Sequence, residues 1–466
     1  MKKMLTTFFH YFLGTFATRI VQFLFLPIYT TYIATANLGQ YDTIAAYVQI
    51  FLPVLFQAIW DAILRLGFDK KDQSDRVSFF STVIPHVGLL SCIYLIIGII
   101  LQLFHIKLAI YVALMVATSG LLTVWQNAAR AVGNTKAYAA SNVISASISI
   151  AVNVVLVVFL HMGVEALLLS SIISYFVTAV VVELMIRLRQ YIRLKEYSAA
   201  ILKEVMHYVR HFIVATTFWK LLGLCSPLII PWLLGYSMNG IYSVALRFQT
   251  ILSTITLVYN MAWQEEMIRR NEDEQRGKIF NDIYKKLQLL CFGVLFMILP
   301  ATYLVYPFLV KGDYGSSLLY IPIVFLECIL TTLVTHISSV FIMAKDTLAN
   351  LIDTVSSAVV NIILIIVLGS FFKLYGVAIA TVLGAIFRMI LCKTLVNKHL
   401  KADLQVVRFL LLTAGYAGLV LALRNSTAVL QIALFAAMFA VAVFINKNLI
   451  MQVVIAIRKQ LGKSNG

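Results

Sequence analysis

The chain has 466 residues, of which 61 % are hydrophobic and only 12 % are charged, and its mean hydropathy is +0.92. A soluble domain carries about a quarter of its residues as charges, so this composition excludes a soluble globular protein. The formal net charge is +17. In a membrane protein basic residues mark topology, so nucleic acid is not expected as a partner.

Apolar runs separated by short charged clusters predict a helical membrane bundle. A run of about twenty residues crosses roughly 30 Å of hydrocarbon, and continuous rather than alternating runs favour helices over a barrel. The first run continues through Arg19 and is too long for a signal peptide, so it is predicted to stay in the protein. About fourteen helices are predicted, at approximately 8–33, 40–66, 78–104, 108–130, 138–161, 165–187, 209–234, 240–267, 287–309, 317–343, 348–371, 376–397, 407–423 and 428–445.

The basic residues predict the orientation of this bundle. With the N-terminus in the cytoplasm, 28 of the 37 Lys and Arg residues fall in cytoplasmic segments. Only four fall in the short outer loops: Lys107, Lys311, Lys373 and Arg424. By the positive-inside rule, both ends of the chain are predicted to be cytoplasmic, in a multi-pass membrane protein.

Three short patterns recur at an offset of about 200 residues. Pro27 and the stretch GQY at 39–41 are repeated as Pro231 and GIY at 240–242, and the Trp60 region is repeated around Trp263. The stretch NVVL at 153–156 is repeated as NIIL at 361–364. The copies are six helices apart and cross in the same direction, as in parallel-repeat transporters. We therefore predict a six-helix N-lobe at 1–206, a pseudo-symmetric six-helix C-lobe at 207–400, and two further helices with a cytoplasmic tail at 401–466.

Besides Arg65 at the inner end of the second helix, four cations lie within predicted helices: Arg19, Lys220, Arg247 and Arg388. A charge at the bilayer centre costs about 2.5–3.5 kcal/mol on insertion scales, so it usually faces water or a partner. One interpretation places these cations in a cavity, where an excess of positive charge suits a phosphate group. The other interpretation is snorkelling to the membrane surface.

Two acids complete the set of candidate residues. Glu327 lies deep in the tenth predicted helix and is predicted either to neutralise a cation or to carry a coupling proton. Asp61 lies four residues before Arg65 on one helical face, which favours a local ion pair. His336 is predicted to be a packing residue.

Sequence motifs for catalysis are absent. The chain has no P-loop, no GxSxG, no dinucleotide-type GxGxxG and no paired Cys or His ligands. We therefore expect a transporter that is not an enzyme and uses no cofactor or metal.

The sequence resembles the polysaccharide transporters of the multidrug/oligosaccharidyl-lipid/polysaccharide (MOP) exporter superfamily, which include Wzx-type O-antigen and capsule flippases. The stretches that carry this resemblance are LPIYT at 26–30, LGQY at 38–41, AILR at 62–65, GIYSVA at 240–245 and AWQE at 262–265. The resemblance implies a MATE/MOP-like fold and two lobes around a central cavity. It also implies that the last two helices are the extra pair of fourteen-helix members.

The function implied by this resemblance is flipping of an undecaprenyl-pyrophosphate-linked oligosaccharide from the inner to the outer leaflet by alternating access. In such a protein Arg19, Lys220, Arg247 and Arg388 would receive the pyrophosphate or acidic sugars. Membrane lipids, polysaccharide polymerase and chain-length machinery are the partners implied.

Three alternatives remain open. An ion-coupled multidrug exporter of the same superfamily would need carboxylates in its cavity. Peptidoglycan lipid-precursor flippases carry more arginines in their first two helices than this chain, which has only Arg19 and Arg65 there. A membrane polymerase or ligase would need a large outer loop.

Overall fold

The computed structural model describes residues 23–69, 72–269, 274–424 and 426–445, and over these ranges the chain is helical without strands. Its α-helices are α1 Leu26–Tyr32, α2 Thr35–Leu55, α3 Ile59–Asp69, α4 Gln73–Leu103, α5 Ala109–Ala131, α6 Thr135–Asn153, α7 Val164–Ile186, α8 Ala199–Leu234, α9 Tyr236–Arg269, α10 Arg276–Leu309, α11 Ile321–Met343, α12 Thr347–Val396, α13 Val406–Arg424 and α14 Ala428–Ile445. A π-helical turn, Val154–Phe159, extends α6.

The prediction of an all-α polytopic membrane protein is confirmed. Within the described ranges, nine helices are long and apolar enough to cross a membrane, and ten if α2 and α3 form one bent span. The 50-residue α12 is long enough for two passes, and its backbone kinks at Lys373 (φ 53°, ψ −136°). That kink lies between the predicted helices 348–371 and 376–397. Most of the predicted first helix, 8–33, lies outside the described residues.

Local sequence explains where several helices begin. Pro27 and Pro322 occupy the first turns of α1 and α11, where the absence of an N–H group has no consequence. The side chains of Asn134, Ser198 and Asp346 accept hydrogen bonds from backbone N–H groups of the first turns of α6, α8 and α12. These caps satisfy donors that a helix start leaves without an intrahelical partner.

A bend of 55° separates α2 from α3. Pro53 lies in the last turn of α2 and cannot donate a helical hydrogen bond, and the following residues Gln57 and Ala58 both have positive φ values, of 55° and 47°. The Ala58 N–H group still donates to the Pro53 carbonyl over 2.7 Å. The bend therefore changes the direction of the chain just before Asp61.

The described helices belong to two compact units. In the first (Met1–Thr254, Gly312–Tyr314 and Thr354–Val377), α5 packs against α3, α4 and α7, and α8 packs against α2. Its core contains Phe56, Phe79 and Phe80, each at most 1 % exposed. In the second (Ile255–Lys311, Gly315–Asp353 and Ala378–Gly466), α10 packs against α11, α13 and α14. These two units are defined by contacts within the structure, whereas the predicted lobes at 1–206 and 207–400 are defined by the sequence repeat. The lobes therefore stay a prediction.

Candidate functional site

A pocket of about 360 Å³ lies between α3 and α8 in the first unit. Asp61, Leu64 and Arg65 line it from α3, and Tyr208 and Phe212 line it from α8. We call it the α3–α8 pocket. The five side chains combine a carboxylate, a guanidinium group, two aromatic rings and an aliphatic group.

The amphipathic character of α3 gives the pocket its polar wall. Ala62 and Ile63 are fully buried against the core of the unit, whereas Asp61 and Leu64 are partly exposed and Arg65 is exposed. Residues four positions apart lie one above the other on a helix, so Asp61 and Arg65 share the face that lines the pocket. The predicted ion pair between these two side chains stays a prediction.

Two further cations interact electrostatically with Asp61. Lys220, about two turns beyond Phe212 on α8, and Arg130, at the end of α5, both interact electrostatically with the Asp61 carboxylate. The guanidinium carbon of Arg130 also lies 5.2 Å from the centre of the Tyr138 ring, in a cation–π contact. Arg65, Arg130 and Lys220 carry three positive charges against the one negative charge of Asp61, and we call these three cations the cation cluster. This arrangement favours an anionic ligand.

Arg247 has partners of its own in the same unit. Its Nη2 atom lies 3.4 Å from both carboxylate oxygens of Asp42, and its guanidinium carbon lies 5.0 Å from the centre of the Tyr29 ring. The Tyr29 hydroxyl accepts a hydrogen bond from Asn153 over 3.3 Å. These contacts neutralise Arg247 within the protein.

Close beside this ion pair, α2 and α9 cross with their backbones in contact. A Cβ atom at Gly39 would meet the Tyr236 carbonyl oxygen at 1.9 Å, and one at Gly240 would meet the Thr35 carbonyl oxygen at 2.0 Å. The Asn239 side chain donates to the Gly39 carbonyl over 2.9 Å. Because Gly39 and Gly240 occupy matching places in the sequence repeat, the crossing joins equivalent points of the two copies.

Arg388 forms a buried ion pair in the second unit. Its Nε and Nη2 atoms donate to Asp353 Oδ2 over 3.1 and 2.9 Å, and the Asp353 side chain is 0 % exposed. The two residues lie on either side of the kink in α12, so the pair links the two arms of that helix. A substrate-binding role for Arg388 stays a prediction, but its charge is balanced within the protein.

The remaining candidates lie in varied surroundings. Glu327 accepts a 2.8 Å hydrogen bond from Thr331, one turn further along α11. His336 is fully buried, its ring stacks on Trp263 with centroids 4.3 Å apart, and its Nδ1 atom lies 2.6 Å from the Tyr259 hydroxyl. Arg19 lies outside the described residues.

Sequence reasoning did not single out Arg130, Tyr208 or Phe212. Arg130 is one of the 28 basic residues of the predicted cytoplasmic segments. Tyr208 lies just before the apolar stretch of α8 and Phe212 begins it, at a position where aromatic residues of an interfacial belt are common. The spacing of four between them was the available signal, since it places both rings on one face.

A family model described as "Polysaccharide biosynthesis protein" matches residues 4–264, which is more than half of the chain. The chain belongs to this family. The predicted membership of the MOP superfamily is confirmed, so this polysaccharide biosynthesis protein is a multi-pass membrane protein of a transporter superfamily. No curated protein sequence matches significantly.

Solved structures share the fold of this polysaccharide biosynthesis protein. One is a lipid II flippase MurJ in an inward closed conformation, with a TM-score of 0.72 and 15 % identity over 94 % of this chain and 99 % of that one. Another is an outward-facing multidrug resistance MATE transporter, with a TM-score of 0.56 and 15 % identity over 90 % of this chain and 97 % of that one. A third is a MATE transporter of Vibrio cholerae, with a TM-score of 0.51 and 14 % identity over 85 % and 96 % of the two chains. At these identities the similarity shows the fold alone, and it confirms the predicted MATE/MOP-like architecture.

Proposed function

We propose that this protein is a flippase that moves an undecaprenyl-pyrophosphate-linked oligosaccharide from the inner to the outer leaflet, for O-antigen, capsule or exopolysaccharide synthesis. The observation that carries the proposal is the family match, because it joins a transporter fold to polysaccharide biosynthesis. The cation cluster adds chemical support, since guanidinium and ammonium groups bind phosphate oxygens by charge-assisted hydrogen bonds.

In this proposal Lys220 is the principal pyrophosphate ligand. It lies within the apolar stretch of α8, and a partly buried ammonium group interacts strongly with an anion because the surroundings screen it weakly. Asp61 holds the cation cluster partly neutral until the headgroup arrives. Binding of the headgroup then shifts the populations of inward-open and outward-open states, as alternating access requires.

The proposal also includes topology and partners. Both ends of the chain lie in the cytoplasm of a bacterial cell, as the excess of basic residues in the predicted cytoplasmic segments favours. The flipped headgroup is then presented outside to the polysaccharide polymerase and chain-length machinery. Arg19, which the sequence places in the predicted helix 8–33, contributes a further cation, and Glu327 serves as a coupling acid.

The test uses a bacterial host that lacks its own flippase and makes the matching polysaccharide. Wild-type protein is compared with Lys220→Ala, Lys220→Arg and the control Lys203→Ala, which removes an exposed cation from the same helix. Loss of a hydrogen bond to a charged group costs about 1.5–3 kcal/mol, or roughly 10- to 100-fold in transport. We expect this loss in Lys220→Ala, substantial rescue by Lys220→Arg and no change in Lys203→Ala.

Surface polysaccharide and internal lipid-linked units are measured at matched membrane levels of each protein. Normal display by Lys220→Ala would contradict the assigned role of this residue. If wild-type protein restores no display but rescues a strain depleted of its lipid II flippase, the peptidoglycan-precursor alternative replaces the proposal. Drug resistance without either rescue would favour the multidrug exporter.

A further inference from the structure

The α3–α8 pocket contains an aromatic surface that phosphate binding does not explain. The rings of Tyr208 and Phe212 are stacked with their centroids 5.2 Å apart and their planes 29° from parallel. Phe212 is 41 % exposed, so part of its ring is open to a ligand. Asp61 and Arg65 line the same pocket from α3. A pyrophosphate needs cations but has no use for two rings or for a carboxylate.

A pyranose ring suits these four side chains. Its C–H groups carry partial positive charge and pack on the negative face of an aromatic ring. Its hydroxyl groups donate to carboxylate oxygens and accept from guanidinium N–H groups. When ionised, the Asp61 carboxylate has only acceptors, and the Arg65 guanidinium has only donors. The two side chains together can therefore pair with a hydroxyl group both as a donor and as an acceptor. A hydrocarbon chain would gain nothing from either charge.

We propose that the α3–α8 pocket is a sugar subsite, in which one pyranose of the headgroup packs on Tyr208 and Phe212 while Asp61 and Arg65 bind its hydroxyls. This inference rests on the proposed function and specifies the part of the headgroup that the pocket recognises. The volume of about 360 Å³ lies near the lower end of the range for small-molecule sites, about 300–1,000 Å³, and suits one sugar better than a whole repeat unit.

The cation cluster determines which sugar this is. Asp61 lines the pocket and also interacts electrostatically with Lys220 and Arg130. Lys220 also lies about two turns beyond the pocket residue Phe212 on α8, so a pyrophosphate held by Lys220 lies beside the Asp61 wall of the pocket. The occupant is accordingly the reducing-end sugar, which is bonded directly to the pyrophosphate.

The experiment separates recognition of the sugar from recognition of the lipid phosphate. Purified full-length protein in lipid nanodiscs is titrated with undecaprenyl pyrophosphate, and with the same lipid carrying one N-acetylglucosamine, glucose or galactose, and bound lipid is quantified by native mass spectrometry. The variants are Tyr208→Leu, Phe212→Leu and the conservative Phe212→Tyr. Tyr197→Leu is the control, because Tyr197 is an exposed aromatic of the preceding segment and does not line the pocket.

For wild-type protein we expect at least one sugar-bearing lipid to bind tenfold more tightly than the bare lipid. Tyr208→Leu and Phe212→Leu should remove this preference and leave the bare lipid bound as before, whereas Phe212→Tyr and Tyr197→Leu should keep it. Lys220→Ala should weaken both kinds of lipid, and its folded state is checked by the thermal unfolding of each sample.

Three results would overturn the inference. Equal weakening of bare and sugar-bearing lipids by the leucine variants would show that the rings contact the lipid or the phosphates. A wild-type protein that binds all the lipids equally has no sugar subsite, although the proposed function would survive. If wild-type protein binds none of the lipids, the proposed function fails together with the subsite.

Discussion

The ion pair between Arg388 and Asp353 allows a structural role to be separated from substrate binding. Replacing Arg388 with Met leaves the fully buried Asp353 carboxylate without its partner. Removal of one member of a buried pair destabilises a protein by about 3–5 kcal/mol, whereas replacement of both members with apolar residues is often neutral. At about 2–4 °C per kcal/mol for a compact unit of roughly 150–250 residues, Arg388→Met should lower the unfolding temperature by roughly 6–20 °C.

The assay is a double-mutant cycle on purified protein in one detergent, followed by transport in the complementing host. We expect Arg388→Met and Asp353→Leu each to lower the unfolding temperature, and the double variant Asp353→Leu/Arg388→Met to regain most of the loss and to transport. A double variant that is as stable as wild type but does not transport would refute the reasoning. It would show that Arg388 contacts the substrate, as its position in the sequence first suggested.

Two further predictions concern helix packing and pH. Gly39→Ala should destabilise the protein by about 1–3 kcal/mol, because the new Cβ meets backbone atoms that cannot move aside. The control Gly88→Ala should leave the stability unchanged, because a Cβ atom there has no neighbour within 4 Å. Thermal unfolding of the two variants tests this difference. Hydrogen bonds from the Ala349 N–H group and from His399 lower the pKa of the Asp346 carboxyl below its usual 3.8. The ionised carboxylate therefore stabilises the folded state at pH values above 3.8. This stabilisation is lost as the pH falls through the lowered pKa. The stability difference between wild type and Asp346→Asn should therefore be present at pH 7 and shrink below about pH 4, and a constant difference across this range would contradict it.

The positions of the helices could be predicted from the sequence because few backbone structures are stable in lipid. A backbone in hydrocarbon must satisfy its own hydrogen bonds, so each apolar run of sufficient length becomes a helix. This reasoning does not locate breaks within a run. Pro53 was visible in the sequence, but the reversal of φ at Gln57 and Ala58 depends on tertiary packing. At Lys373 the expected loop is a short non-helical break, and the predicted helices 348–371 and 376–397 lie on either side of it.

The candidate site was less accessible to sequence reasoning. Depth in the membrane indicated that Arg247 and Arg388 face water or a partner, but it did not identify their partners Asp42 and Asp353, which are distant in sequence or lie across the kink in α12. Asp61 was assigned to a local pair because residues four apart meet on a helix. Asp61 also interacts electrostatically with Lys220 on another helix, and no periodicity in the sequence predicts that these two helices are in contact.

The bend after Pro53 makes the two copies of the repeat unequal. Its counterpart, α9, contains no proline and continues as one helix from Tyr236 to Arg269. A duplicated ancestor with two equivalent halves would offer a glycolipid two equivalent docking poses. In this chain only one copy has the angled helix, so we expect a stoichiometry of one headgroup per polypeptide, always entering in the same orientation.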